Sequence, residues 1–237
     1  SKLMEHIIQN NIGHIRVLTR NKERAKKETQ LPIDIFQWNP KKNEIEEEAL
    51  KGVDVVINLA GENIAQSRWT DKRKSQLINS RVDSTKFLMD KLAEQETMPK
   101  KVISTSAIGI YGDTKETPID EKAPAGNDFL AKLCVKWEEA ALEHKKIPTN
   151  IIRIGLVLSQ DGGALEKILP PFRMGLGGRL GDGKQFMSWI HVDDLIKQFE
   201  FLILNDLESK VFNATAPNPA TNKYFTSVLS SKLNRPS

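Results

Sequence analysis

The amino-acid sequence predicts an α/β fold in which a doubly wound parallel sheet is covered by helices on both faces. Short β-branched segments alternate with amphipathic helical segments along the 237 residues. This alternation is typical of parallel strands joined by helical crossovers. A chain of this length can also bury a sizeable core, which excludes a small disulfide-stapled scaffold.

The strands are predicted where β-branched and apolar residues cluster between polar or glycine-bearing segments. They cover residues 15–19, 33–38, 53–59, 101–105 and 150–158. The run at 53–59 is almost continuously apolar, as is typical of a strand that is buried on both faces. We therefore expect this strand to be central in the sheet.

The helices are predicted from apolar residues that recur at helical spacing. They cover residues 1–10, 71–92, 128–144, 164–174, 194–204 and 223–233. Thr70 and Thr221 are the expected N-caps of two of them. Residues 170–183 include five glycines and interrupt the alternation, so we expect a loop-rich substrate region to begin near this segment.

Composition excludes several classes of function. The 35 Lys and Arg against 31 Asp and Glu leave a net charge of +4, spread over many segments, which disfavours a nucleic-acid partner. Apolar runs fall far short of the roughly 20 residues that cross a bilayer, so no membrane association is expected. The single cysteine, Cys134, and the scattered histidines predict no disulfide and no metal site. We expect a cytoplasmic protein.

The basic residues after the strand at 15–19 suggest a cofactor preference. At this point a dinucleotide fold has an acid that binds the 2′-hydroxyl of NAD or an arginine that accommodates the 2′-phosphate of NADP. Here Arg20 stands in place of the acid, and Lys22 or Arg24 could add charge. NADP is therefore the predicted cofactor, with NAD as the alternative. A solvated basic loop explains the same residues without a ligand.

A second candidate site follows the strand at 53–59. Small residues there would let the backbone approach a ligand at the carboxyl end of the sheet. The predicted cofactor-binding residues of this segment are Asn58, Leu59, Ala60, Gly61 and Glu62. A structural turn would account for Gly61 equally well.

A third candidate site is the hydroxyl-rich end of the strand at 101–105. Ser104, Thr105 and Ser106 precede a glycine-bearing turn that contains Tyr111. Hydroxyl groups at a strand end can hydrogen-bond a substrate oxygen, although Ser and Thr also cap backbone groups there.

Taken in order, these segments resemble the extended short-chain dehydrogenase/reductase family, in its nucleotide-sugar-epimerase-like branch of unassigned substrate. The segments that carry the resemblance are NLAGEN at 58–63, RWT at 68–70, SRV at 80–82, STSAIGIYGD at 104–113, WE at 137–138, RIGLVL at 153–158, LPPFR at 169–173, GDG at 181–183, WIHVDD at 189–194 and NATAPN at 213–218. The resemblance implies a Rossmann-type core over residues 1–158. It also implies a smaller substrate region over 159–237, with late segments returning to the core.

Two features depart from the family pattern. The family's glycine fingerprint, which holds the cofactor pyrophosphate at a helix N-terminus, would lie before Ser1. More chain would also follow 234–237. Because the loop that grips the cofactor pyrophosphate would be absent, we expect the segment as given to bind NADP weakly. The family's Tyr-x-x-x-Lys pair aligns with Leu130 and Cys134, which cannot do that chemistry. A literal match at Tyr111 and Lys115 lies in a turn, where the two side chains would not share a face.

Other residues must then be considered for catalysis and substrate binding. Ser106, Thr105 and Tyr111 are the catalytic candidates, and Glu62 is a weaker one. For an anionic or phosphorylated substrate the candidates are Arg173, Arg179 and His191. The arginines could instead be solvated, and the acids beside His191 could simply open a helix.

Two functional hypotheses follow. The first is an NADP-preferring epimerase or oxidoreductase that acts on a small polar, nucleotide-linked substrate as a monomer or homodimer. The second is a catalytically inactive dinucleotide-binding sensor or scaffold, because fold and binding do not by themselves establish turnover.

Overall fold

The computed structural model describes residues 1–236. The strands are β1 (Arg16–Thr19), β2 (Asp34–Asn39), β3 (Glu44–Ile45), β4 (Val55–Asn58), β5 (Lys101–Ala107), β6 (Thr149–Ile154), β7 (Leu156–Ser159), β8 (Gly162–Gly163), β9 (Phe186–Met187), β10 (Trp189–His191), β11 (Val211–Ala214) and β12 (Ala220–Thr221). The helices are α1 (Lys2–Gln9), α2 (Lys22–Glu28), α3 (Asp71–Asn79), α4 (Val82–Ala93), α5 (Phe129–Ala141), α6 (Ala164–Arg173), α7 (Val192–Leu204) and α8 (Asn222–Leu233).

The strands pair mainly in parallel, which confirms the predicted α/β fold class. A four-stranded sheet has the order β11-β6-β5-β4, and every neighbouring pair in it is parallel. β1 and β2 also pair in parallel, and the short β3 adds to β2 in the antiparallel sense. β7 and β10 form a further parallel pair that leads into the C-terminal part of the chain.

Helices cover the four-stranded sheet on both faces because successive residues of a strand point to opposite sides. Val102 packs with Met89 and Leu92 of α4 on one face. Ile103, the next residue, packs with Phe199 of α7 on the other face. β5 is therefore the most deeply buried strand. The expectation that the strand at 53–59 is central was wrong, since β4 ends the four-stranded sheet and its residues Val55 to Ile57 are only half-buried.

A gap separates β1 from β4. In the part of the chain that the structure describes, β1 pairs only with β2 and β4 only with β5. A cavity of about 620 Å³ lies between them, and its lining includes Leu3 and Ile7 of α1, Leu18 of β1, Trp38 of β2 and Ile57 of β4. One edge of each strand therefore faces an apolar space.

Two predicted elements are each divided in the structure. The helix predicted at 71–92 consists of α3 and α4, with a break at Ser80 and Arg81. The Ser80 hydroxyl accepts a hydrogen bond from the Glu62 N–H and donates to Leu77 O, which ties the end of α3 to the loop after β4. The strand predicted at 150–158 divides at Gly155 into β6 and β7, which pair with different partners.

Local capping follows the sequence prediction more closely. The Thr70 hydroxyl accepts from Arg73 N, and the Thr221 hydroxyl accepts from Tyr224 N, both at 3.2 Å. Helix α2, which is rich in charged residues and buries none of them, was not predicted. Among residues 1–236, no helix is both long enough and apolar enough to cross a membrane.

Candidate active site at the carboxyl edge of the sheet

The ends of β4 and β5 bring two of the predicted site segments together, because Asn58 lies opposite Ser104 in the parallel register. The Asn58 side chain is buried and donates to Thr85 Oγ1 at 2.8 Å. Its Oδ1 accepts from Ala60 N at 3.1 Å. Asn58 therefore shapes the turn from within, and the backbone of residues 59–61 faces the carboxyl edge.

Glu62 is a paired carboxylate in this loop. It forms an ion pair with Arg73, and Lys41 Nζ lies 3.4 Å from its other oxygen. The hydrogen bond from Arg73 lowers the pKa of Glu62 below its ordinary value. Glu62 therefore stays ionised near neutral pH, and its geometry suits holding the loop better than donating a proton.

Two arginines that were not predicted as site residues support the same loop. Arg73 is buried and donates from Nη2 to Asn63 O at 2.7 Å. Arg81 donates from Nη2 to Glu62 O at 2.8 Å, and its guanidinium lies over the Trp137 ring, 5.2 Å from the ring centroid. A Cβ on Gly61 would lie 3.1 Å from the Arg81 Cζ, so this glycine permits the close approach of loop and guanidinium.

The predicted catalytic residues Ser106 and Tyr111 belong to one buried network. Ser106 Oγ donates to Glu138 Oε1 at 2.6 Å. The same carboxylate accepts from Nε and Nη2 of Arg153, each at 2.9 Å. Arg153 also donates to the Tyr111 hydroxyl at 2.8 Å, and that hydroxyl donates to Asn213 Oδ1 at 2.7 Å.

The third candidate hydroxyl is also engaged, since Thr105 Oγ1 donates to Asn58 O at 3.0 Å. The literal Tyr-x-x-x-Lys match does not form a pair. Tyr111 is buried, whereas Lys115 is exposed and pairs with Asp113 at 2.9 Å. A substrate would therefore meet these hydroxyls mainly through their free lone pairs.

Cys134 lies on α5 beside the end of β5. Burial raises the pKa of its thiol to about 11, so the side chain is neutral at physiological pH. It holds neither a positive charge nor a proton that is readily released. This matches the expectation that position 134 cannot act as the family's lysine does.

The basic residues at the end of β1 differ in their partners. Lys22 pairs with Glu46 at 2.9 Å, and Arg24 pairs with Glu28 at 2.7 Å. Arg20 is exposed, and no carboxylate among residues 1–236 pairs with its guanidinium. Of these three, Arg20 is the residue whose charge is available to a phosphate.

The predicted substrate residues lie in the C-terminal part. Arg173 ends α6, and Arg179 lies in the loop before β9. Both are exposed, and neither has an ion-pair partner in the described part of the chain. His191 is the N-cap of α7, and its Nδ1 accepts from Asp193 N at 3.3 Å. This capping bond accounts for the histidine and the acids beside it without a substrate.

Comparison with known proteins decides the family. The sequence model of the NAD dependent epimerase/dehydratase family matches residues 1–215. The chain belongs to this family. Among its relatives, an epimerase family protein of Mycobacterium bovis is 41% identical over 203 residues, which are 85% of this chain and 67% of the relative. The chloroplastic SDR39U1 homolog of Arabidopsis thaliana is 39% identical, with 94% of this chain and 65% of the relative covered.

Solved structures of epimerases share the fold. A human epimerase family protein, SDR39U1 isoform 2 with NADPH, superposes with a TM-score of 0.83 at 27% identity, covering 99% of this chain and 77% of that one. A nucleoside-diphosphate sugar epimerase from Corynebacterium glutamicum gives a TM-score of 0.72 at 30% identity, covering 98% and 54%. This chain thus spans about half to three quarters of these two epimerase structures.

Proposed function

We propose that this epimerase-family chain binds NADP in preference to NAD and acts on a small, polar, nucleotide-linked substrate. The observation that carries the cofactor preference is the unpaired guanidinium of Arg20 at the end of β1. The NADPH in the human relative's structure supports the same cofactor. Arg173 and Arg179 are exposed and have no ion-pair partner in the described part of the chain, so both are available to bind an anionic substrate group.

The residues at the carboxyl edge fit a dinucleotide. Ala60 and Gly61 are small, and Leu59 and Gly61 are exposed. The ion pair of Glu62 with Arg73, and the bond from Arg73 to Asn63 O, fix the path of this loop. Such a loop lets a ligand lie against main chain. When bound, the cofactor supplies hydride-transfer chemistry.

The chain's own contribution to the reaction would be to orient a substrate hydroxyl. Ser106 commits its proton to Glu138, so its oxygen is left with lone pairs that can accept from a substrate O–H. Leu130 and Cys134 do not provide an acid or a base, so proton transfer would involve Ser106, Tyr111 or solvent.

The cofactor preference can be tested by equilibrium titration of the full-length gene product with NADPH and with NADH. We expect tighter binding of NADPH. Arg20→Ala should weaken NADPH binding about tenfold or more, because a charge-assisted bond to phosphate contributes about 1.5–3 kcal/mol, and should leave NADH binding unchanged. Lys27→Ala removes a charge from the same region and is the control. Equal affinity for both cofactors, or no effect of Arg20→Ala, would overturn the preference.

The alternative is a dinucleotide-binding sensor or scaffold without turnover. Leu130 and Cys134 of α5, which the resemblance aligns with the family's Tyr-x-x-x-Lys pair, favour it. A panel of sugar nucleotides and carbonyl compounds distinguishes the two. Cofactor-dependent turnover supports the enzyme, whereas NADPH-dependent binding of a partner without turnover supports the sensor. The cytoplasmic location and the monomeric or dimeric state remain predictions.

A further inference from the structure

Arg81 differs from the two buried arginines of the fold. Arg73 pairs with Glu62 and Arg153 pairs with Glu138. Arg81 has no carboxylate partner among residues 1–236. Its one short hydrogen bond goes to Glu62 O at 2.8 Å, and its contacts with Leu77 O and Ser80 Oγ are 3.5 and 3.4 Å long.

The position of Arg81 is costly for a charged group. Burial lowers the pKa of its guanidinium below the ordinary value for arginine. A desolvated charge is tolerated where hydrogen bonds or an opposite charge compensate it. The Trp137 face supplies part of this compensation. Most of the five N–H donors still lack a short bond to an acceptor.

The guanidinium lies at the ligand edge of the sheet. It lies next to Gly61, which follows β4, because a Cβ on Gly61 would be 3.1 Å from the Arg81 Cζ. It also lies over the ring of Trp137 on α5, 5.2 Å from the ring centroid. Cys134 of the same helix packs in one cluster with Ala107, the last residue of β5. Arg81 therefore lies near the carboxyl ends of β4 and β5, where the candidate catalytic residues are found.

Its position relative to Arg20 indicates which part of a ligand it would meet. In dinucleotide folds the adenosine ribose lies at the strand end that Arg20 occupies, and the ligand extends across the carboxyl ends of the strands. Arg20 follows β1. Arg81 contacts the loop after β4, on the other side of the gap that separates β1 from β4. A dinucleotide anchored at Arg20 would reach Arg81 with its other half.

We propose that Arg81 binds the nicotinamide half of the dinucleotide through the oxygens of its ribose phosphate. This inference rests on the proposed function. The planar guanidinium can hold Glu62 O with one edge and present its remaining donors to ligand oxygens. It would thereby give the reacting end of the site a fixed positive charge, which neither Leu130 nor Cys134 supplies.

The test compares two ligands on the full-length gene product. NADPH contains both halves, whereas adenosine 2′,5′-bisphosphate contains only the adenosine half. Arg81→Gln should weaken NADPH binding about tenfold, a loss of about 1.4 kcal/mol, and leave adenosine 2′,5′-bisphosphate binding unchanged. Arg20→Ala should weaken binding of both ligands. Lys72→Gln, which removes an exposed charge on the neighbouring helix, should change neither.

Each result has a distinct meaning. If Arg81→Gln leaves NADPH binding unchanged, or weakens both ligands equally, the role of Arg81 is wrong while the cofactor assignment stands. If wild-type protein binds neither ligand, the proposed function itself is wrong. Arg81→Lys keeps the positive charge and replaces Arg81→Gln in the binding test if the glutamine variant does not fold. It should lose part of the NADPH affinity and none of the adenosine 2′,5′-bisphosphate affinity. Unchanged NADPH affinity in this variant would count against the guanidinium contact.

Discussion

Arg153 grips the carboxylate of Glu138 with two hydrogen bonds, from Nε and from Nη2, each 2.9 Å long. Both residues are 8% exposed. Burial opposes the charge of Arg153, but its hydrogen bonds to Glu138 and Tyr111 outweigh that effect and raise its pKa. The pair joins β6 to α5 and holds the hydroxyls of Ser106 and Tyr111 in place.

Breaking this pair from one side should destabilise the fold strongly. Arg153→Met leaves the Glu138 carboxylate buried without its partner, which typically costs about 3–5 kcal/mol. The free energy of unfolding in urea measures the loss. The double variant Glu138→Leu with Arg153→Met removes both charges and should recover much of the stability. A single variant that loses less than about 1 kcal/mol would contradict the buried-pair geometry.

Cys134 should make the stability of the protein fall in alkaline solution. Burial raises the pKa of its thiol from 9.0 to about 11. Below pH 9 the thiol is protonated in both the folded and the unfolded chain, so the full stability is present. Between pH 9 and pH 11 only the unfolded chain loses the proton. The free energy of unfolding should therefore drop by about 2–3 kcal/mol from this group.

The control for this effect is Cys134→Ala, which removes the titrating group. The difference in unfolding free energy between wild type and this variant should be constant below pH 9 and shrink above it. The native thiol should also react slowly with a thiol reagent at pH 8 and rapidly after unfolding in urea. Fast modification of the native protein would show that Cys134 is more accessible than the structure indicates.

Gly155 should not tolerate a side chain. A Cβ there would lie 2.6 Å from Ser188 O and 3.0 Å from Thr215 Cγ2. Gly155→Ala should therefore cost about 1–3 kcal/mol of unfolding free energy, because the backbone between β6 and β7 must shift. Gly178→Ala is the matched control, since nothing lies within 4 Å of its Cβ position. Equal stabilities of the two variants would refute the close contact.

Whether a feature of the fold was predictable depended on whether local sequence or a distant contact determines it. The period of apolar residues and the caps at Thr70 and Thr221 are local properties, and they located most of the helices. The charged helix α2 has no apolar period and was missed. The division at Gly155 depends on Ser188, which is distant in sequence. The break at Ser80 depends in the same way on the Glu62 backbone. No local pattern records either contact.

In the candidate site, too, residues marked by a local pattern were predictable, whereas contacts between distant residues were not. Arg20 was predicted because its place at the end of a strand is readable from the sequence. The burial of Ser106 against Glu138 joins residues 32 positions apart. Arg81 was part of the quoted segment SRV at 80–82, but its lack of an acidic partner becomes visible only in three dimensions.

The gap beside β1 leads to a prediction about hydrogen exchange. A parallel strand with one neighbour bonds only alternate amides to it, and in the described chain β1 and β4 each have one neighbour in their sheets, whereas β5 and β6 have two. In the 237-residue protein, the mean amide protection of β1 and β4 should be at least about tenfold lower than that of β5 and β6. β11, which ends the same sheet, is the internal control and should resemble β4. Protection of β1 and β4 equal to that of β5 in the 237-residue protein would show that the gap is closed in solution.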